Sequence, residues 1–332
     1  VRWLLPAALG LAVLLLALPA AEPFTRLWLE QLWPASFTGW QWLQRTVPFP
    51  LYPLLLGAAL LGLILPPLLS RPGRRLGNTL YSLALLLSGG VLWLQLGWGL
   101  NYQREPLPLQ LGLTGSSSLE QRRELAAYLL YVLETDGAAA AEVEVALEAG
   151  RDSLSQLLTG IGYPGPIPAT VRQLPAGTLL GIGVSGMLFP FTLEALLDRG
   201  LPEWQQVSIG IHELAHVAGV ADEADATLAA AIAGLRSTDG YARYASALDA
   251  WSRLELPAAE RAELQARLPA RASADLAAAR AAGRRYRLDF LADSQAALLN
   301  WWLRLQGSEA GVADYSLGAS RLPLALEAGL LP

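Results

Sequence analysis

The chain contains two histidines, and they lie four residues apart in the run His212-Glu213-Leu214-Ala215-His216. On a helix, positions i and i+4 share a face, so both imidazoles can point at one metal ion. Glu213 stands beside the first histidine, where its carboxylate can take a proton from water. A catalytic zinc takes three protein ligands and keeps a fourth position open. It polarises a scissile carbonyl and brings the pKa of water down to about 7. A glutamate acting as general base can then pass the proton to a leaving amine. This is the chemistry of peptide hydrolysis, with zinc as the expected cofactor. The flanks Val207, Ile209, Ile211, Leu214, Ala215 and Val217 form an apolar helix, as a buried active-site helix requires.

A third ligand is needed, and no histidine or cysteine remains to supply it. It must be a carboxylate. Gly219 is placed to end the histidine helix, since glycine favours the position just past a helix. The chain then runs through Val220-Ala221 into Asp222-Glu223-Ala224-Asp225-Ala226, with Asp222 suited to cap a helix from Glu223 to about Leu235. Asp222, Glu223 and Asp225 are all candidates. Asp222 follows His216 by six residues, similar to the spacing of the third ligand in metzincins. All three acids also favour a helix N-terminus electrostatically, and at least two of them need do nothing more.

The elements that must carry these residues follow from composition. Of 332 residues, 53% are hydrophobic and only 16% charged, against about 25% charged in ordinary soluble domains. Disorder is excluded. The absence of cysteine excludes disulfides, thiolate nucleophiles and cysteine-ligated metals. All 24 basic residues are arginine, and a net charge of −5 argues against a nucleic-acid partner. Trp3–Ala21, Thr46–Ser70 and Leu76–Gln103 carry no charge. A helix of about 20 apolar residues spans a bilayer, so three transmembrane helices are expected near 3–21, 51–69 and 80–100. Leu18-Pro19-Ala20-Ala21 resembles a signal-peptide cleavage site, but only Arg2 precedes the apolar run, which favours an uncleaved anchor. Arg71, Arg74 and Arg75 mark the loop between spans two and three as cytoplasmic. The amino terminus is then inside, and the 22–50 loop and everything after about Gln103 are outside. Trp40, Trp42, Trp93 and Trp98 suit an interfacial belt. The spans lack the buried ionisable residues that mark transport pathways.

Residues 105–332 carry most of the charge and can bury a core of their own. Ser117-Ser118-Leu119-Glu120 reads as a capping box opening a helix to about Thr135. A second helix is expected over Ala138–Thr159, then a loop over Gly160–Pro168. Ala169–Leu174 and Leu179–Phe189 have strand character, with Gly183 and Gly186 as points of bulging or close approach. Helices dominate from about Glu203. The expected class is α+β, mostly helical: three N-terminal transmembrane helices (1–104) followed by a zincin-like metallopeptidase domain (105–332).

Trp98-Gly99-Leu100-Asn101-Tyr102-Gln103-Arg104-Glu105-Pro106-Leu107 is similar to a W-G-x-N-Y-x-R-x-P-L segment. Together with Phe189–Ala195, the HELAH helix and Leu303–Ser316, it resembles the bacterial membrane family designated domain of unknown function 3810. Members of that family are described at most as candidate zinc metallopeptidases. The resemblance covers nearly the whole chain. It implies a zinc metallopeptidase in a bacterial cytoplasmic membrane, multi-pass, with its catalytic domain extracytoplasmic. A family stretch like E-D-E-A-N falls on Glu223, Ala224, Asp225, Ala226 and Thr227. The E-x-x-A-N/D form also resembles the third-ligand helix of membrane-bound gluzincins, which favours Glu223 as ligand. The chain departs from the family at Asp225 and Thr227, and the missing asparagine is expected to weaken support for a histidine.

Further roles are expected nearby. Gly181–Phe191 is a candidate edge strand for holding substrate by strand addition. Tyr315 is a candidate catalytic residue stabilising the oxyanion. Glu194 either supports the site or starts a helix. Asn101, Tyr102 and Arg104 read as a structural junction at the end of span three. The expected partners are the lipid bilayer and a polypeptide substrate, membrane-proximal or from the cell envelope. The alternative is a non-catalytic membrane receptor or scaffold that retains the zincin fold.

Overall fold

The computed structural model describes residues 22–47, 49–167, 171–305 and 318–332. It forms two compact units. One ends at Arg104 and includes Phe189–Glu194; the other comprises Glu105–Leu188 and Ala195–Pro332.

In the first unit, α1 (Glu22–Leu27) continues through a π-helical turn, Trp28–Leu32, into α2 (Trp33–Thr46). Trp28, Trp33 and Phe37 are buried here, with successive ring centroids 6.4 and 6.2 Å apart. Two apolar helices follow, α3 (Tyr52–Leu68) and α4 (Arg75–Gly97), and they pack against each other. Their side chains invert the usual rule. Leu54, Leu56, Leu60, Leu61 and Leu68 are exposed, whereas Ser82, Ser88 and Gln95 are buried. Water penalises that pattern and hydrocarbon does not. Pro72–Gly97, with 26 residues, is the one helix among the described residues long and apolar enough to cross a membrane. The expected third span thus begins earlier than Leu80, and the chain leaves it through a 3₁₀ turn, Gly99–Gln103. The expected second span is a helix of 17 residues, at the lower end of the lengths that cross a bilayer. The expected first span lies outside the described residues.

The junction residues tie themselves together. Asn101 is buried and donates through Nδ2 to the Trp98 carbonyl at 2.8 Å. Trp98 and Tyr102 meet edge to face at 5.5 Å. Glu194 has a clear task in this unit: it caps α3. Its carboxylate accepts from the backbone N–H of Leu51 at 2.9 Å and of Tyr52 at 2.8 Å, and from Thr192 Oγ1 at 2.8 Å. Gln44 Nε2 donates to the Thr192 and Leu193 carbonyls, holding a turn in which Leu193 takes φ of +51°. The expectation that Glu194 starts a helix was therefore right in kind, but the helix is α3 rather than one following it in sequence.

The second unit opens with the short α5 (Leu107–Gln110), α6 (Leu119–Thr135) and α7 (Val143–Thr159). The capping box of α6 sits one residue later than expected, pairing Ser118 with Gln121. A three-stranded sheet follows: β1 (Val171–Leu174), β2 (Gly186–Phe189) and β3 (Glu194–Asp198), in the order β1-β3-β2. β1 and β3 are parallel, with Val171 opposite Ala195 and Leu174 opposite Asp198. Helices α8 (Glu203–Ala218), α9 (Glu223–Leu235), α10 (Gly240–Arg253), α11 (Ala258–Ala266), α12 (Ala270–Tyr286), α13 (Asp289–Leu305) and α14 (Leu322–Glu327) complete it.

The core forms around α8, which packs against α7, α9 and α10. Trp204, Val207, Ile211, Leu214, Ala215 and Ala218 recur at helical spacing and are all buried. α9 is buried from Asp225 to Leu235, and its many alanines let neighbouring helices approach closely. Leu180, Leu197 and Leu201 form a further cluster with Val171, Ile209 and Tyr286 packed on it.

Two strand expectations are corrected. Only Gly186–Phe189 of Leu179–Phe189 is strand; Leu180–Ile182 is a 3₁₀ turn. The Asp198 carboxylate draws in the N–H groups of Leu179 and Leu180 and curls the chain. β3 was not expected. It is buried along its whole length, and so short an apolar run carries no alternation to read.

Glu194→Ala removes a charged acceptor from three buried or half-buried donors. It is expected to destabilise the chain by about 2–3 kcal/mol, seen as a lower midpoint of thermal unfolding in detergent.

Candidate metal centre

Helix α8 presents both imidazoles on one face, as its spacing dictates. It ends where Gly219 takes φ of +101°, a left-handed conformation that a side chain would resist. The Gly219 N–H donates to the His216 carbonyl at 2.9 Å, and the Val220 N–H to the Ala215 carbonyl at 3.1 Å. This pair of bonds reverses the chain sharply. Asp222 then caps α9, accepting from the N–H groups of Ala224 at 2.9 Å and Asp225 at 3.1 Å. The first residue of α9, Glu223, is thereby returned to the histidines.

Three donor atoms meet there. His212 Nε2 and His216 Nε2 are 3.1 Å apart, and each is 3.2 Å from Glu223 Oε2. Four ligands set tetrahedrally at about 2.1 Å from zinc stand about 3.4 Å from one another. The triangle is thus close to one face of such a tetrahedron, and its donor types are those zinc prefers. The rings stand at 88° to each other. His216 Nδ1 is 2.7 Å from the Val220 carbonyl. A carbonyl only accepts, so Nδ1 carries a proton, and whenever the ring is neutral Nε2 keeps its lone pair inward. Thr227 Oγ1 lies 3.5 Å from His212 Nδ1, so threonine stands beside the ring where the family resemblance implied asparagine.

The electrostatics reflect crowding in a dry place. Burial pushes His212 below its ordinary pKa. Burial acts the same way on His216, but the Glu223 charge outweighs it and lifts that ring to about 9. Burial would raise Glu223, yet the two imidazoles hold it well below the usual carboxylate range. Glu213 is pushed up to about 8, chiefly by burial. Its Oε2 is buried with no hydrogen-bond partner among the described residues.

The other two acids are committed elsewhere. Asp222 holds the cap. Asp225 Oδ2 accepts from the Leu107 N–H at 2.7 Å, and burial raises its carboxyl to about 7. Among the described residues, the structure brings together His212, His216 and Glu223 as a group able to hold a metal. Tyr315 lies outside the described residues.

A family model described as "Protein of unknown function (DUF3810)" matches residues 29–318. The chain belongs to this family. No curated protein and no solved structure matches it. The DUF3810 match spans every residue of the centre.

A cleft of about 300 Å³ opens on His212 and Glu213. In this DUF3810 protein, one side of the cleft is the segment Gly183–Gly186, leading into β2 at the edge of the sheet. Gly186 has no space for a side chain. A Cβ there would stand 2.8 Å from Glu213 Oε1, Ile209 Cγ2 and Leu197 Cδ2. Asp198, which sequence reasoning did not single out, anchors this wall. It is fully buried and accepts from the N–H groups of Gly177, Leu179, Leu180 and Gly200 at 2.8–3.0 Å. The only local signal for it is an acid ending an apolar run.

Gly186→Ala overpacks the contact between β2 and Glu213. It is expected to cost about 1–3 kcal/mol, measured as a lower denaturation midpoint at unchanged slope.

Proposed function

We propose that this DUF3810 protein is a zinc-dependent metallopeptidase anchored in a bacterial cytoplasmic membrane. One observation carries the reading: two Nε2 atoms and a carboxylate oxygen converge within 3.1–3.2 Å, with the Glu213 carboxylate on the same helix. His212, His216 and Glu223 would hold the ion. Zinc supplies Lewis acidity, polarising a carbonyl and acidifying water at neutral pH. Glu213 is the general base. Burial makes its carboxylate more basic than an exposed one, so it takes a proton from the attacking water and returns it to the leaving amine. Glu213 lines the cleft beside His212, and its buried Oε2 has no partner among the described residues. The edge position of β2 beside the cleft suits an extended polypeptide laid along it.

The membrane reading rests on the outward leucines of α3 and α4 and on the length of Pro72–Gly97. With spans near 3–21, 51–69 and 80–100, Arg71, Arg74 and Arg75 place their loop in the cytoplasm. The unit after Arg104 is then extracytoplasmic, and its substrates are membrane-proximal or cell-envelope polypeptides.

The purified full chain is expected to bind one zinc, measured by elemental analysis. Glu223→Ala should lose it, whereas Asp222→Ala and Asp225→Ala should keep it. Glu213→Gln should retain zinc and lower cleavage of a fluorogenic unfolded protein by about 10²–10⁴-fold. Failure to bind zinc at neutral pH would overturn the enzyme reading. Bound zinc with no Glu213-dependent cleavage would leave a metal-holding receptor or scaffold.

A further inference from the structure

The cleft at the metal centre adjoins a second cavity of about 400 Å³. The two share Gln205, Asp249 and Arg253, and the second is walled further by Trp204, Arg261 and Arg280. Gln205 lies in the first turn of α8, and Asp249 and Arg253 in the last turn of α10. An extended chain lying in the cleft can pass these shared residues into the second cavity.

Charge in this cavity is out of balance. Three arginines and one acid line it, in a chain whose net charge is −5. The acid is already engaged: Asp249 Oδ2 accepts from Arg253 Nε at 2.9 Å, and Oδ1 from Nη2 at 3.2 Å. Arg261, on α11, has no carboxylate partner among the described residues. Its guanidinium lies 4.7 Å over the Trp251 ring, and Nη1 donates to the Leu254 carbonyl at 3.4 Å. Arg280, exposed on α12, forms no ion pair among the described residues either. Burial and the neighbouring charge of Arg280 both push Arg261 below its ordinary pKa. Two like charges facing one half-dry cavity cost free energy that an anion between them would offset. The ring and the carbonyl also hold the Arg261 fork in one orientation, and such a planar fork meets a carboxylate with two parallel bonds.

We infer that this cavity is a subsite for an acidic side chain of the polypeptide held in the cleft, with Arg261 and Arg280 as its partners. The inference rests on reading the cleft as a polypeptide site, and it names the substrate class: chains carrying glutamate or aspartate beside the bond to be cut. Continuity favours a carboxylate borne on a polypeptide over a free anion. The cavity shares three residues with a cleft whose wall leads into an edge strand.

Two fluorescein-labelled, unstructured peptides would be compared on the full chain in detergent. They are identical except that one carries glutamate wherever the other carries glutamine. A Glu213→Gln background keeps both intact, and fluorescence anisotropy reads binding. The glutamate peptide is expected to bind about tenfold more tightly. Arg280→Gln alone, at an exposed position, should cut that preference about threefold, and Arg261→Gln combined with it should abolish it. Arg236→Gln, an exposed arginine lining neither cavity, should leave the preference unchanged. Equal binding of the two peptides, binding of neither, or a preference that survives the double variant would overturn the inference. Displacement of the glutamate peptide by inorganic phosphate, but not by chloride at equal ionic strength, would assign the site to a free anion and overturn it too. The peptidase reading fails separately. A chain with Glu213 intact that prefers the glutamate peptide yet cleaves neither supports the subsite and removes the peptidase.

Discussion

Three donor atoms lie within 3.2 Å of one another, and such an arrangement is kept only if a proton or a cation stands between them. Much of the second unit can be understood as the means of imposing this crowding. Helix α8 places two imidazoles in register. The reversal at Gly219 and the Asp222 cap then return Glu223 to face them over a distance of only seven residues. The close packing of α9 against its neighbours fixes the start of that helix, and with it Glu223, in place. A proton on one ring links two of the atoms; a divalent cation would engage all three.

The buried acids divide by partner. Glu194, Asp198, Asp222 and Asp225 each accept from backbone N–H groups. They hold together a helix start, a loop, a cap and the entry to the second unit. Backbone amides are fixed donors, so such a carboxylate is structural and exchanges nothing. Glu223 faces imidazoles, and Glu213 is held by the Leu188 backbone yet keeps its Oε2 without a partner among the described residues. These two are the acids to which the proposed chemistry is assigned. The distinction rests on what each carboxylate touches rather than on burial, since Asp222 and Glu223 are both only partly buried.

The first unit shows the opposite pattern of exposure. Its leucines face out and its serines and glutamine face in. In hydrocarbon, apolar contact gives no advantage to the inside of a helix pair, and the few polar groups are better satisfied there. Segment 189–194 adds the polar groups that this unit needs at the start of α3. Leu193 tolerates a left-handed backbone because Gln44 pins the carbonyls on both sides of it.

What the sequence determined by itself is local. A spacing of four places His212 and His216 on one face. Gly219 ends α8, Asp222 caps α9, and Gly186 marks a close approach, all within a few residues of the signal that announces them. The choice among Asp222, Glu223 and Asp225 was not local. All three suit a helix N-terminus, and only packing decides which one turns inward. Asp225 is taken by a backbone amide 118 residues away, at Leu107. Asp198 and Glu194 likewise owe their roles to amides brought in from other elements. Caps and turns are settled by short-range sterics and hydrogen bonds, which composition and spacing encode. The partner of a buried carboxylate is settled by which distant chain the fold carries past it, and no spacing in the sequence records that.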